Sequence, residues 1–403
     1  MVKKHILILN WQFPPNQGIG GRRSAKLAKE WKALGHDISI VTQTTTNSNK
    51  GSQNWISDET IKSFEYHFID EKNNFNALYF RKGLLNSIWL WILKKWHGVF
   101  TPGNPIDDCR FAGLAIAQKL ASIHQKKPID LLFVSCAPFS LSVYASKFKE
   151  ENPEIQLWCD FRDPWKNAVN YGLQLINERQ RTTEQHFQEE VGIKSDYISA
   201  PYQAILEEFK NQETQAQKIL IPHFTDRPMT LMAQTPVSDK PTLTYAGNLY
   251  NGSMPYIKIA FKALNSLPSE QQPLLHFIGH FASDVQKEMV KEYNGIRFSP
   301  WQEQGVDQFL QSSDGLIILL SKDNQNFHTT KFFDFLPLSK PYFYIGPKGD
   351  VFQTIEDHHL GCSLEQYTPD ALKKHQPSRA LQLAEKHTAQ KMALTILNHV
   401  FSA

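Results

Sequence analysis

Cysteine is scarce: there are four in 403 residues, Cys109, Cys136, Cys159 and Cys362, with no Cys-x-x-Cys pair among them. Scattered thiols of this kind argue against a disulfide framework and a zinc ribbon, and they suit a reducing, cytoplasmic compartment. Long apolar runs are also missing. The longest, 88–93 with Leu84, Leu85 and Trp96 beside it, falls far short of the roughly 20 residues of a spanning helix. The opening run Ile6-Leu-Ile-Leu9 stops at Asn10 and meets Pro14-Pro15, so it reads as a first buried strand and not as a signal peptide. Nor does one sign of charge dominate. The net charge of +3 is too mild to argue for a nucleic-acid partner, and it suits an anionic substrate or an anionic lipid surface. There is no P-loop, no Gly-x-Gly-x-x-Gly dinucleotide fingerprint, no Ser-His-Asp set and no metal-ligand spacing. No metal and no cofactor is expected.

What is present is ordinary globular composition, 41% hydrophobic and 21% charged, over a length that suits two domains. Short apolar runs alternate with helical periods. In the first half, strands are expected at 5–10, 38–42, 65–70, 130–135, 155–161, 197–200 and 219–223, and helices at 22–34, 109–123 and 138–150. A polar stretch at 226–241, holding Pro228, Pro236 and Pro241, reads as a linker. The alternation then restarts, with strands at 243–247, 274–279, 296–299, 315–320 and 341–346 and helices at 255–267, 282–292, 303–312 and 331–337. This pattern implies the α/β class: two doubly wound parallel sheets, in Rossmann-like domains at 1–225 and 242–377. Segment 378–400 reads as one further helix, because Ala389, Met392, Ala393, Ile396, Leu397 and Val400 follow the i, i+3, i+4, i+7 pattern. Its apolar stripe needs a partner surface. Residues 43–54, rich in Thr and Asn, read as a loop tip.

In open parallel sheets ligands bind beyond the carboxyl ends of the strands, so the loops there carry the chemistry. After the first strand, Gly18, Gly20 and Gly21 precede a helix opening near Arg22 and Arg23. Glycines let the backbone approach a phosphate and a helix N-terminus favours an anion, although a plain flexible turn fits as well. Asp160, Arg162 and Asp163 follow the strand ending at Trp158. Three ionisable groups among aromatics are costly unless paired or used, so they read either as a site or as a salt bridge bracing the turn before Pro164. In the second half, Thr329 or Thr330 can cap a helix whose first turn holds Lys331, where the dipole prefers an acid. A cation there points to a phosphate, and Asp334, on the same side, can accept from ribose hydroxyls; a surface Lys–Asp pair is the plainer alternative. Gly279-His280 and Tyr245-Ala-Gly-Asn-Leu-Tyr250 are two more strand-to-loop transitions. The stretch 81–96 combines Trp89, Trp91 and Trp96 with Lys94 and Lys95, which suits either a membrane interface or a helix packed on its own domain.

Taken in order, five motifs resemble the retaining glycosyltransferases of family four, which have the GT-B fold. They are Phe13-Pro14-Pro15 with Gly18-Ile-Gly-Gly21, Ser135-Cys-Ala-Pro-Phe-Ser140, Asp160-Phe-Arg-Asp-Pro-Trp165, Tyr245-Ala-Gly-Asn-Leu-Tyr250, and Lys331-Phe-Phe-Asp-Phe-Leu with Ser339-Lys-Pro341. The resemblance implies an N-terminal domain for a glycan or lipid-linked acceptor, a C-terminal domain for a nucleotide-diphosphate sugar, and a cleft between them. It implies that Gly20, Gly21 and Arg22 reach the donor phosphates, that Asn248, His280, Thr330, Lys331 and Asp334 line the donor site, and that Asp160, Arg162 and Asp163 lie towards the reacting centre. It also implies a metal-independent reaction and a last helix, 378–403, that crosses back to the first domain.

The chain departs from that pattern at three places. Asn326 stands where the family has an acid eight positions before Asp334, and Asn248 and Ser253 stand where it often has cations. Three functional readings therefore stand together: a glycosyltransferase of polysaccharide or surface-glycan assembly, a non-catalytic or scaffold relative that binds nucleotide-sugar or glycan, and another two-domain α/β enzyme such as a nicotinamide-dependent oxidoreductase. The missing dinucleotide fingerprint counts against the last. Peripheral contact with the inner membrane face through 84–96 is expected with the first.

Overall fold

The computed structural model describes residues 2–16, 20–45, 58–70, 84–166, 171–210, 214–229, 240–249, 252–301 and 305–401. Gly18, Arg81, Tyr250, residues 46–54 of the expected loop tip and 230–239 of the expected linker lie outside them, as do the side chains of Leu84 and Leu85. The chain divides into two compact units, Met1–Pro222 with Met392–Ala403, and His223–Lys391.

The first unit is built on seven parallel strands: β1 (His5–Leu9), β2 (Asp37–Gln43), β3 (Glu65–Ile69), β4 (Leu131–Cys136), β5 (Gln156–Phe161), β6 (Tyr197–Ala200) and β7 (Gln217–Leu220). Their order is β3-β2-β1-β4-β5-β6-β7. β1 and β4, side by side at the centre, are buried along their whole length, as strands covered on both faces must be. Edge strand β3 carries exposed residues instead. The second unit has six parallel strands: β8 (Thr242–Ala246), β9 (Leu274–Ile278), β10 (Ile296–Ser299), β11 (Gly315–Leu319), β12 (Tyr342–Ile345) and β13 (Gly361–Ser363). Their order is β10-β9-β8-β11-β12-β13. In both sheets the winding direction reverses beside the first strand, between β1 and β4 and between β8 and β11. At such a switch point the two connections leave in opposite directions and open a crevice at the strands' carboxyl ends.

Helices cover both sheets, and one of them had no apolar stripe to announce it. Glu178–Lys194 buries Gln180, Glu184 and Gln188 together with Val191 and Gly192. The burial period is helical, but the chemistry of the face is polar. Each polar group is satisfied: Gln180 Nε2 donates to His97 O (3.0 Å), Gln188 Nε2 donates to Glu208 Oε2 (3.2 Å), and Glu184 pairs with the buried Arg110 guanidinium and accepts from Trp165 Nε1 (2.8 Å). Asn177 caps its N-terminus in a reciprocal box with Gln180.

The same helix holds its neighbour, Leu84–Phe100. Gln180, Asn177 Nδ2 (3.1 Å) and Arg179 Nη1 (2.8 Å) donate to the carbonyls of His97, Gly98 and Val99 in its last turn, where helix carbonyls run short of partners. Its other face is bare: Trp89 is 61%, Trp91 63% and Trp96 58% exposed, with Ile88, Ile92, Val99 and Phe100 exposed beside them. No helix among the described residues is long and apolar enough to cross a membrane.

The single helix expected over 378–400 is two, Pro377–Lys386 and Ala389–Phe401. Thr225 interrupts the ladder: its N–H donates to His387 O (2.9 Å) and its carbonyl accepts from Ala389 N (2.8 Å). Thr388 Oγ1 then accepts from Lys391 N (3.2 Å), as a capping hydroxyl does. From Met392 onward the last helix belongs to the first unit, where Ala393, Ile396 and Leu397 are buried, Trp31 Nε1 donates to Ala393 O (3.1 Å) and Tyr197 Oη donates to His399 O (2.9 Å).

Candidate functional site

In the first unit the carboxyl ends of β1, β4 and β5 converge on the start of the Gly20–Ala33 helix. Asn10, just past β1, ties the turn: its Nδ2 donates to Ser24 Oγ (2.7 Å) and Gly20 O (3.3 Å), and its Oδ1 accepts from Gln12 N (2.8 Å). A Cβ on Gly21 would lie 2.0 Å from Gln12 O, so the loop backbone closes on the helix there and only glycine fits. A Cβ on Gly20 would lie 2.6 Å from Arg162 Nη1, so this glycine makes room for a guanidinium beside the first helical turn. Arg162 Nη2 donates to Ala137 O (2.9 Å) at the end of β4, where Ala137 has φ +94. Arg22 is half-buried in the same turn. A helix N-terminus with a guanidinium beside it attracts an anion.

The two aspartates of the first unit sit differently. Asp160 is closed off. Arg23 reaches it with Nε on Oδ2 (2.8 Å) and Nη2 on Oδ1 (3.2 Å), and Ser199 Oγ donates to Oδ1 (2.6 Å). Arg23 also donates to Ile221 O (2.7 Å) and Pro222 O (2.9 Å). The salt bridge therefore exists, but with Arg23 and not with Arg162. Asp163 is half-buried and accepts from the Tyr171 hydroxyl (2.7 Å), a phenol that burial pushes to higher pKa.

In the second unit, β8 ends in Gly247, whose φ is +140 and whose N–H donates to Ile278 O (2.7 Å). A Cβ there would lie 2.0 Å from Lys331 Nζ. Glycine at this position is what lets the ammonium reach the switch point between β8 and β11. Lys331 Nζ donates to Tyr245 Oη (3.2 Å) and lies 4.7 Å from the centre of that ring. Removal of water by these surroundings brings the Lys331 pKa down to about 8. It stays a cation at neutral pH. Tyr245 Oη donates in turn to Asn248 O (2.5 Å), and Asn248 Oδ1 accepts from His280 N (3.3 Å). Asn248 and His280 are exposed; Thr330 and Asp334 are half-buried, and burial, with the Asp334 charge adding to it, holds the Tyr342 phenol un-ionised.

The expected cap is not formed: Thr329 holds the N-cap position of Thr330–Phe335 but makes no capping bond. Asn326 is occupied elsewhere, its Oδ1 accepting from Asp350 N (3.2 Å) at the head of the Asp350–Asp357 helix.

Beyond His280 opens a cavity of about 500 Å³ lined by Gly279, His280, Phe281, Ala282, Gln286, Phe298, Ser299 and Pro300. Only Gly279 and His280 of these were singled out in the sequence. The strand-end rule applied to β10 reaches Ser299 and Pro300, but neither residue type carries chemistry on its face. Phe281 and Phe298, 5.4 Å apart, give the cavity aromatic walls. Asn248 bonds both to Tyr245, which holds Lys331, and to His280 on the cavity lining, so hydrogen bonds connect the cation to the aromatic recess.

No protein-family profile matches the chain and no curated protein matches it in sequence. Solved structures match it in shape along its whole length. The lipopolysaccharide outer core galactosyltransferase WaaB gives a TM-score of 0.57 at 14% identity, covering 99% of both chains. The pneumococcal O-GlcNAc transferase GtfA, solved with UDP and GlcNAc, gives 0.60 at 11% identity over 100% of this chain and 99% of its own. A putative UDP-N-acetylglucosamine 2-epimerase from Listeria monocytogenes gives 0.55 at 11% identity over 100% and 98%. At such identities the likeness establishes architecture and not activity. With its two doubly wound parallel sheets, each switching beside its first strand, the chain has the GT-B fold.

Proposed function

We propose that the chain is a glycosyltransferase that moves a sugar from a nucleotide-diphosphate donor to a glycan or lipid-linked acceptor, with retention, without a metal, in polysaccharide or surface-glycan assembly. The observation that carries this reading is Lys331, held as a cation against Gly247 at the switch point of the second sheet, with an aromatic recess connected to it through Tyr245, Asn248 and His280. That pairing suits a diphosphate joined to a planar base. The transferases among the structural neighbours, one of them solved with UDP, support it.

In the reaction, the bond from the sugar C1 to the diphosphate oxygen breaks and a bond from C1 to the acceptor oxygen forms on the same face. The acceptor proton leaves on the departing phosphate. Lys331 and the backbone amide of Thr330 would stabilise the negative charge that develops there, and His280 would stand at its flank. Asp334 would accept from the ribose. In the first unit, the Gly20–Gly21–Arg22 turn with Arg162 would hold an anionic group of the substrates, Asp163 would face the acceptor, and Asp160 would act as a positioning residue through Arg23. Transfer assays with a panel of nucleotide-sugars test the proposal. Wild type should turn over at least one donor, and Lys331→Met should lower kcat/KM by about a hundredfold. No turnover of any donor, together with equal and weak nucleotide binding by wild type and Lys331→Met, would overturn it.

A second reading has its own support. Asn326 and Asn248, at two positions where charges were expected, are committed to backbone hydrogen bonds with Asp350 and His280. A chain in which both serve structure fits a relative that binds nucleotide-sugar or glycan without turnover. Tight nucleotide binding without transfer or donor hydrolysis would select this reading.

We propose further that the bare Trp89, Trp91 and Trp96 face of the Leu84–Phe100 helix rests on an anionic membrane surface at the cytoplasmic side. The helix carries no acidic residue, and Lys94 and Lys95 are exposed on it.

A further inference from the structure

The polar wall of the recess is set by a chain of three residues that the reaction itself does not use. Arg297 Nη2 lies 3.1 Å from His276 Nδ1, and His276 Nε2 lies 2.8 Å from Ser299 Oγ. A guanidinium can only donate. His276 Nδ1 is therefore the acceptor, and the ring proton sits on Nε2. Burial and the adjacent guanidinium bring the His276 pKa down to about 4, so the ring is neutral at pH 7 and keeps this one tautomer. It follows that Ser299 Oγ accepts from His276. The hydroxyl proton of Ser299 then has no acceptor among the described residues, and Ser299 lines the cavity. Gln286, also on the lining, is oriented the opposite way. Its Nε2 donates to Phe281 O (2.9 Å), which leaves Oε1 as its group for a ligand.

We infer that Ser299 and Gln286 make this recess selective for a planar ring with an imide edge, a carbonyl next to a ring N–H, as in uracil, thymine, hypoxanthine and guanine. Ser299 donates to the carbonyl and Gln286 Oε1 accepts from the N–H, while Phe281 and Phe298, which touch each other, give the ring an aromatic surface to lie on. Adenine and cytosine present the reverse order, a bare ring nitrogen next to an amino group. They leave the Ser299 proton stranded against an N–H donor, and a stranded buried donor weakens binding on the order of tenfold. Arg297 and His276 are positioning residues: they touch no ligand and fix which way Ser299 faces.

The inference rests on the proposal that the second unit binds a nucleotide, and its test separates the two. The full chain is titrated calorimetrically at pH 7.5 with UDP, dTDP, GDP, CDP and ADP, and with pyrophosphate as a probe without a base. We expect at least one of UDP, dTDP and GDP to bind about tenfold or more tightly than both CDP and ADP. Ser299→Ala should bring that ratio to within about threefold and leave pyrophosphate affinity unchanged; Ser299→Thr, which keeps the hydroxyl, should retain the ratio. His276→Phe should act as Ser299→Ala does. Because the readout is a ratio within one folded protein, a general loss of stability cannot imitate it, and Gln286→Leu supplies a second variant on the other lining segment. If nucleotides bind but without preference, or if the ratio survives Ser299→Ala, the selectivity is overturned and nucleotide binding stands. If no nucleoside diphosphate binds at all, both fall.

Discussion

Arg23 and Asp160 meet as a two-pronged ion pair inside the first unit, Nε to Oδ2 at 2.8 Å and Nη2 to Oδ1 at 3.2 Å, with side chains only 4% and 2% exposed. Neither charge has water to fall back on. Asp160→Asn or Arg23→Met should lower unfolding free energy by about 3–5 kcal/mol, because the survivor is left buried and uncompensated. The double variant Arg23→Met with Asp160→Asn should recover part of the loss. Urea denaturation measures all three, and additive losses in the double variant would show that the two side chains do not act as a pair.

Gly247→Ala places a methyl on the Lys331 ammonium and forces a side chain into a backbone region with φ +140. The lysine must move out of its corner. Pyrophosphate and nucleotide affinity should fall about tenfold or more, as in Lys331→Met, while far-UV circular dichroism stays that of the parent. Unchanged affinity in Gly247→Ala would mean that Lys331 does not contact the anion.

The pH dependence has a definite sign. The Lys331 pKa is lowered from the ordinary 10.5 to about 8, so the cation is present below about pH 8 and is lost as pH rises through it. Anion binding should hold steady from pH 6.5 to 7.5 and then weaken by about tenfold per unit in alkali, one proton being taken up with the ligand. Stability of the free protein should respond in the opposite sense. Between about pH 8 and 10.5 the unfolded chain binds the extra proton, so this lysine makes the fold relatively more stable as pH rises. Titrations across this range, with Lys331→Met as the flat control, check both directions.

The tryptophan face of Leu84–Phe100 offers a direct measurement. Vesicles with a third of anionic lipid should carry the full chain in flotation, neutral vesicles should carry less, and Trp89→Ser with Trp91→Ser should release it from both. Equal flotation of parent and variant would dismiss the membrane as the occupant of that face.

Asn326→Asp restores an acid at the departure from the family pattern. Its Oδ1 can still accept from Asp350 N, so stability should change by no more than about 1 kcal/mol. If transfer is limited by the missing charge, kcat should rise in this variant; a rate still at background, with nucleotide bound, favours the non-catalytic reading.

Much of this architecture was legible because buried parallel strands write continuous apolar runs. Each of the first twelve strands overlaps an expected one, and the buried ones coincide with a stretch such as Ile38-Ser-Ile-Val-Thr42 or Leu131-Leu-Phe-Val134; β7, with one buried residue in Gln217–Leu220, begins two residues before the expected 219–223. Glu178–Lys194 escaped because burial there is bought with hydrogen bonds: Gln180, Glu184 and Gln188 keep the period of a helix with none of its hydrophobicity. β13 escaped because Gly361–Ser363 is three half-buried residues long. In the site, Gly247 and Lys331 were legible from the strand-end rule and from a cation where the dipole disfavours one. The choice of Arg23 over Arg22 as the partner of Asp160 depended on helix phase, which two adjacent arginines do not reveal. The direction of the Ser299 hydroxyl depended on a histidine tautomer, and no residue pattern encodes that.

The last helix gives the first unit an unusual timetable. Trp31, packed on Phe133, and Tyr197 hydrogen-bond to Ala393 and His399, more than 190 positions further along the chain. A ribosome emits the whole second unit before those partners exist. The first sheet must therefore wait, part-finished and with tryptophan uncovered, until the final turns of helix emerge. A frameshift or nonsense change near residue 390 should injure the amino-terminal half of the protein, and residues 1–222 made alone should aggregate or need a supplied peptide of 389–401 to become soluble.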